Sequence, residues 1–200
     1  MSARVIPYYC RMGRWEPDAR GRLEQAALEL YGERGFEATT VADIAERAGL
    51  TERTFFRYFA DKREVLFWGA AELRDTLERA VREAPAPFAP MNAVVAALRA
   101  VADELFEGRR ERVRQRQAIV VANRELQERE LIKLATLSAA LADALRARGV
   151  AGADAHLAAE AGIVVLKVAF ERWVSAASER RLADIVAEAA SELRAVASGA

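Results

Sequence analysis

Between Thr39 and Lys62 the chain reads TTVADIAERAGLTERTFFRYFADK, two helix-length segments, each opened by a threonine and hinged at a single glycine, Gly49. Val41, Ile44, Ala45 and Ala48 give the first segment one apolar face. Thr40, with Asp43 three residues on, makes a capping-box pair, and Thr51 offers the same hydroxyl cap to the second segment. In that second segment Phe55 and Phe59 lie i, i+4 on an inner side, while Arg53, Thr54, Arg57 and Tyr58 fall largely on the others. The inner face packs and the outer face is left to bind. This is helix-turn-helix grammar, in which the second helix enters the major groove of DNA with its N-terminal residues at base edges.

The rest of the chain is written in the same helical period, so the expected fold is all-α, with about nine or ten helices. Met91, Val94, Val95, Leu98, Val101, Ala102, Leu105 and Phe106 follow the i, i+3, i+4, i+7 rule and stop at Gly108. The three prolines of EAPAPFAP, residues 83–90, forbid a continuous helix there. Upstream of them, one helix is expected to begin near Asp61, with Asp61 as its N-cap, and to tie the first sixty residues to the remainder. Gly149 and Gly152 mark a later junction, and the stripe from Leu182 to Val196 marks a last amphipathic helix. The expected organisation is a flexible basic arm over residues 1–17, a three-helix head over 18–60 and a helical body over 61–200.

Charge and composition narrow the function classes. Thirty basic and thirty acidic residues cancel, so any nucleic-acid site must be local. One cysteine, Cys10, and one histidine, His156, cannot build a zinc cage or a Cys–His nucleophile pair, and a lone cysteine suits a reducing cytoplasm. No metal or other cofactor is implied. No run approaches the roughly 20 apolar residues that span a bilayer, and residues 1–12 lack the core of a secretion signal. Glycine-rich phosphate loops and a serine elbow with a nearby histidine are missing, so an enzyme is not expected.

The stretch GFEATTVADIAERAGLTERTFFRYFADKREVL resembles the DNA-binding signature of the tetracycline-repressor (TetR/AcrR) family of bacterial transcriptional regulators. Gly35, Phe36, Thr39, Thr40, Ile44, Ala45, Ala48, Gly49, Thr51, Phe59 and Lys62 carry the match, over about the first third of the chain. Phe56 departs from it, because relatives commonly place there a tyrosine whose hydroxyl reaches a phosphate. The resemblance implies a homodimer that binds a palindromic double-stranded DNA operator and releases it when a small-molecule effector enters the body. Arg53, Thr54, Arg57 and Tyr58 are then expected nearest the groove, with Thr40, Thr51 and Lys62 on phosphates. Arginines 11, 14, 20 and 22 lie in or beside the arm; Arg14 is the candidate for a minor-groove contact, against the simpler reading of a disordered tail. The alternative is a structural DNA-binding or protein-interaction dimer of the same fold that senses nothing.

Within the body, Trp68, Phe106 and Ile119 are candidate pocket walls, and Gln115, Asn123, Glu160 and Lys167 are polar groups able to orient a ligand. Glu160 and Lys167 interrupt the apolar run HLAAEAGIVVLKVAFERWV, and a buried charge needs a partner, such as Glu171 for Lys167, or a bound effector. The arginine-rich RRERVRQRQ, residues 109–117, reads as a solvated face more readily than as an anion site. The helix from about Ala153 to Ser178 is apolar on more than one face, with a stripe of Ile163, Leu166, Phe170 and Trp173. That stripe, together with Ile185, Ala189 and Leu193 of the last helix, is expected to pair with its mate as a four-helix bundle.

Overall fold

The structure is a computed structural model, and it describes residues 18–87, 89–175 and 180–199. Among these, nine α-helices follow one another: α1 (Ala19–Arg34), α2 (Val41–Arg47), α3 (Glu52–Tyr58), α4 (Ala70–Glu83), α5 (Pro90–Val101), α6 (Arg110–Ala122), α7 (Arg124–Ala147), α8 (Gly152–Ser175) and α9 (Leu182–Ser198). No strand occurs among the described residues. A 3₁₀ turn at Glu64–Leu66 precedes α4, and a π turn at Ala102–Phe106 carries α5 on towards Gly108. No described helix is long and apolar enough to cross a membrane.

The helix expected from Asp61 is not continuous. The Asp61 carboxylate accepts from the backbone N–H groups of Arg63 and Glu64 at 2.8 and 3.1 Å and so caps the short 3₁₀ turn instead. That tighter turn lets Val65, Leu66 and Phe67 all point into the head's apolar core, and α4 starts afresh after Gly69. At the far end Arg148 donates to the carbonyls of Val81 and Ala84 at 2.9 and 2.8 Å, satisfying the last turn of α4 before the prolines.

Two apolar clusters organise the chain. The first centres on Leu23, Leu30, Ile44, Phe55 and Phe59 of α1–α3, and is completed by Ile119 and Val120 of α6 and Leu126 of α7. The second fills the space among α4, α5, α7, α8 and α9, with Leu77, Leu98, Leu141, Leu145 and Val186 fully buried. Helices α5 and α8 approach closely at Gly162, where an added Cβ would lie 2.3 Å from Val94 Cγ1. The head thus borrows core from the body, which gives the two a packed seam in addition to the covalent link through residues 60–70.

Candidate DNA-binding face

The head is assembled from its caps outward. Thr40 and Asp43 complete the capping box: the Asp43 N–H donates to Thr40 Oγ1 at 3.1 Å and the Thr40 N–H to Asp43 Oδ2 at 2.8 Å. Thr51 caps α3, its Oγ1 accepting from the Thr54 N–H at 3.2 Å. Between the two helices Gly49 turns with φ +65°, a conformation that side chains other than glycine resist. Arg22 of α1 closes the end of α2, donating from Nε to the Ala48 carbonyl at 3.0 Å, where a cation also complements the helix dipole. Buried Phe55 and Phe59 fix the inner side of α3, their ring centroids 5.4 Å apart.

On the outer side Arg53, Phe56 and Arg57 are exposed, and Thr54 and Tyr58 are half-buried. Tyr58 lies between two guanidinium groups, Arg20 at 5.6 Å and Arg57 at 4.9 Å from its ring centroid, and its hydroxyl accepts from Arg57 Nη2 at 3.1 Å. Arg20 also stands 5.3 Å from the Trp68 ring, joining α3 to the approach to α4. Thr40 and Thr51 are exposed beside this face, although both hydroxyls already serve caps.

Lys62 departs from expectation. Its Nζ donates to the carbonyls of Phe36, Glu37 and Thr39 at 2.8, 3.3 and 3.0 Å and sits 4.4 Å from the Phe36 ring centroid. All three ammonium donors are therefore spent on the turn between α1 and α2, which leaves none for a phosphate. Tyr31 reinforces the same joint by donating to the Lys62 carbonyl at 2.7 Å; burial, and then the Asp61 carboxylate, push its phenol above the ordinary range. Arg20 and Arg22, counted with the basic arm from sequence, are instead part of α1. Arg14 and the arm, residues 1–17, lie outside the described residues.

Residues 24–67 match the family model of bacterial regulatory proteins, tetR family. The head of this chain belongs to the TetR family. The regulator TcmR of Streptomyces glaucescens is 38% identical over 94 residues, covering 47% of this chain and 42% of that protein. The repressor KstR2 of Mycobacterium tuberculosis is 37% identical over 67 residues, covering 30% and 34%. The chain thus spans less than half the length of these curated relatives. Among solved structures, the SmeT–triclosan complex is 25% identical with a TM-score of 0.57, covering 90% of each chain. Bacillus halodurans FadR is 19% identical with a TM-score of 0.59, covering 89% of this chain and 95% of the other. The TetR fold therefore extends beyond the head to nearly the whole chain.

Between the TetR-family head and the body runs a charged seam. Arg112 of α6 pairs with Glu24 of α1 at 2.5 Å; Arg63 pairs with Glu125, and Arg129 with Glu64. Arg116 donates to the Leu66 carbonyl and to Glu130, both at 2.7 Å, and lies over the Phe67 ring. Glu130 also accepts from Lys133 at 2.5 Å, and these two side chains are only 19% and 17% exposed. Burial alone would raise the Glu130 carboxyl, but Arg116 and Lys133 outweigh it and hold the group below its ordinary value. Lys133 is pushed below the usual lysine value by burial and by repulsion from Arg116, which the shared anion does not offset. The arginines of residues 109–117 are thus largely structural: Arg110 and Arg114 donate to the carbonyls of Trp173 and Val174 at the end of α8.

The body residues named as a pocket do not converge. Ile119 is buried in the head's core, and Asn123 donates to the Ile119 carbonyl at 2.6 Å. Phe106 meets Phe170 and Trp173 edge-on, and Gln115 is exposed. Glu160 is exposed and accepts from Ser138 at 2.6 Å, and Lys167 is exposed, so neither is the buried charge expected from the apolar run. A rotation of one residue, about 100°, separates an interrupted apolar stripe from an exposed edge, and periodicity over a helix apolar on two sides does not resolve it. Trp68 lines an open cleft of about 670 Å³, shared with Arg20, Ala71, Glu72, Asp75, Thr76, Arg79 and Arg82.

The stripe assigned to a mate is likewise spent inside the chain. Ile163, Leu166, Trp173, Ile185 and Ala189 are buried in the body's own core, and Phe170 and Leu193 are half-buried against it. The apolar surface that α8 offers outward is the other side, with Leu157 67% and Val164 48% exposed.

Proposed function

We propose that the protein is a transcriptional regulator that binds a palindromic DNA operator as a homodimer, represses from it, and is released by a small-molecule effector. The observation that carries this reading is the outward side of α3: Arg53 and Arg57 stand exposed on a helix whose opposite side is locked into the head by Phe55 and Phe59. A guanidinium pairs with guanine edges, and the backbone amides that the caps leave free at the starts of α2 and α3 suit phosphates. Relatives of the head are named as a transcriptional regulator and a transcriptional repressor, and SmeT, similar over 90% of the chain, is named in complex with triclosan.

Two recognition helices are needed to read a palindrome, and the outward apolar residues Leu157 and Val164 of α8 suit a two-fold contact with a second copy. An effector acts by favouring a conformation whose two α3 helices no longer match adjacent grooves. The path for that change includes the seam of Arg112, Arg116 and Glu130 as well as the link through residues 60–70. Selection from random duplex DNA tests the reading: the expected product is a palindrome with half-sites about one helical turn apart or somewhat more. Failure to enrich any symmetric sequence overturns it. For the effector, a compound that raises the melting temperature must weaken operator binding by the factor by which operator weakens its own binding. A stabilising compound that leaves operator affinity unchanged is not the effector.

A further inference from the structure

Phe56 is out of place in a helix whose other phenylalanines are buried. It is 55% exposed, and no other aromatic ring among the described residues is exposed to that extent. A single exposed apolar side chain is ordinary in itself. Three further facts set this one apart. Its ring stands edge-on to the buried Phe55, centroids 5.5 Å apart and planes at 82°, so it is braced outward rather than folded over the head. It shares one side of α3 with Arg53 and Arg57, both exposed, at the i, i+3, i+4 spacing. A phenyl ring also has no donor to offer a phosphate.

We propose that Phe56 is a base-reading residue, its ring packed against the 5-methyl group of a thymine in the major groove, between the groups contacted by Arg53 and Arg57. The inference rests on the DNA-binding reading above and names what part of the sequence is read. The two flanking guanidinium groups bring the ring into an anionic groove, and there the thymine methyl is the apolar feature a base edge presents. Cytosine lacks that methyl, so the contact separates thymine from cytosine without a hydrogen bond. Docking removes the exposed ring from water at the moment of recognition.

The test uses the operator obtained by selection, with each thymine of a half-site replaced in turn by deoxyuridine, which deletes only the methyl. The wild-type chain is expected to lose roughly fourfold in affinity at one position per half-site, the worth of one buried methyl. Phe56→Ala should bind the unmodified operator more weakly, keep the wild-type melting temperature, and show no further loss at that position; Phe56→Leu should retain part of the sensitivity. Half-sites with no fixed thymine, or equal deoxyuridine sensitivity in wild type and Phe56→Ala, overturn the inference. In either case tight wild-type binding that Arg53→Ala still weakens leaves the DNA-binding reading standing. No enriched sequence at all overturns both.

Discussion

Lys62 and Arg53 are both cations near the recognition helix, yet the structure gives them different work. Lys62 holds three backbone carbonyls of the turn before α2, whereas Arg53 stands exposed in solvent. Substituting Lys62 by Ala should therefore cost stability, about 2 kcal/mol for hydrogen bonds from a charged donor. In a chain of this length that lowers the melting temperature by roughly 4–8 °C. The slope of DNA affinity against salt should stay as in wild type, because no phosphate contact is lost; a flattened slope with unchanged melting would return Lys62 to the phosphate. A similar contrast holds in the seam. Glu130→Gln leaves Arg116 and Lys133 facing each other and should destabilise by roughly 2–3 kcal/mol, whereas Lys133→Met removes the under-compensated cation and should be neutral or stabilising. The Glu130 carboxyl is depressed in the folded state, so its contribution is complete above the ordinary glutamate value of 4.5 and fades as pH falls through the lower folded value. Acid unfolding of wild type and Glu130→Gln should accordingly converge below that window.

The short helices of the head were legible because each is signalled locally: Thr40 with Asp43, Gly49 in a left-handed turn, Thr51 at the start of α3. Local signals of this kind need no knowledge of what packs where. Gly49→Ala should destabilise by about 1–2 kcal/mol, since its φ is positive and the new Cβ would meet Arg22 Nη2 at 3.0 Å. Thr51→Ala should cost about 1 kcal/mol through the lost cap, read as earlier melting of the head. The break between Asp61 and α4 was not legible, because Asp61 caps a 3₁₀ turn as well as it caps an α-helix and only the pull of Val65, Leu66 and Phe67 into the head decides between them. Nor was α8, whose apolar residues surround the helix; periodicity assigned Ile163 and Leu166 to the mate, whereas α5, α7 and α9 cover them and Leu157 and Val164 form the exposed side. Glu130 and Lys133, three residues apart on α7, read in sequence as an ordinary ion pair on a helix surface; their partner Arg116 lies fourteen residues before Glu130 and carries no local mark of their burial.

Head and body share apolar core through Ile119, Val120 and Leu126, and are tied by the Arg112–Glu24 and Arg129–Glu64 ion pairs and by the hydrogen bond from Arg116 to the Leu66 carbonyl. A displacement of α6 or of the start of α7 therefore moves against α1 and the 3₁₀ turn, and through Trp68 and Arg20 reaches Tyr58 on the recognition helix. That continuity is the route by which, under the proposed function, a change in the body reaches α3. The outward side of α8 predicts a dimer in solution, and Leu157→Glu with Val164→Glu should yield monomers by light scattering at micromolar concentration while the helical spectrum is kept. The central claim, that the outer side of α3 reads DNA, is tested most directly by the ratio of affinities for the selected operator and for a scrambled duplex, measured for wild type and for Arg53→Ala at one salt concentration. The account predicts that Arg53→Ala lowers the ratio by about 1–3 kcal/mol per lost bidentate contact, with the melting temperature unchanged. An unchanged ratio would contradict it.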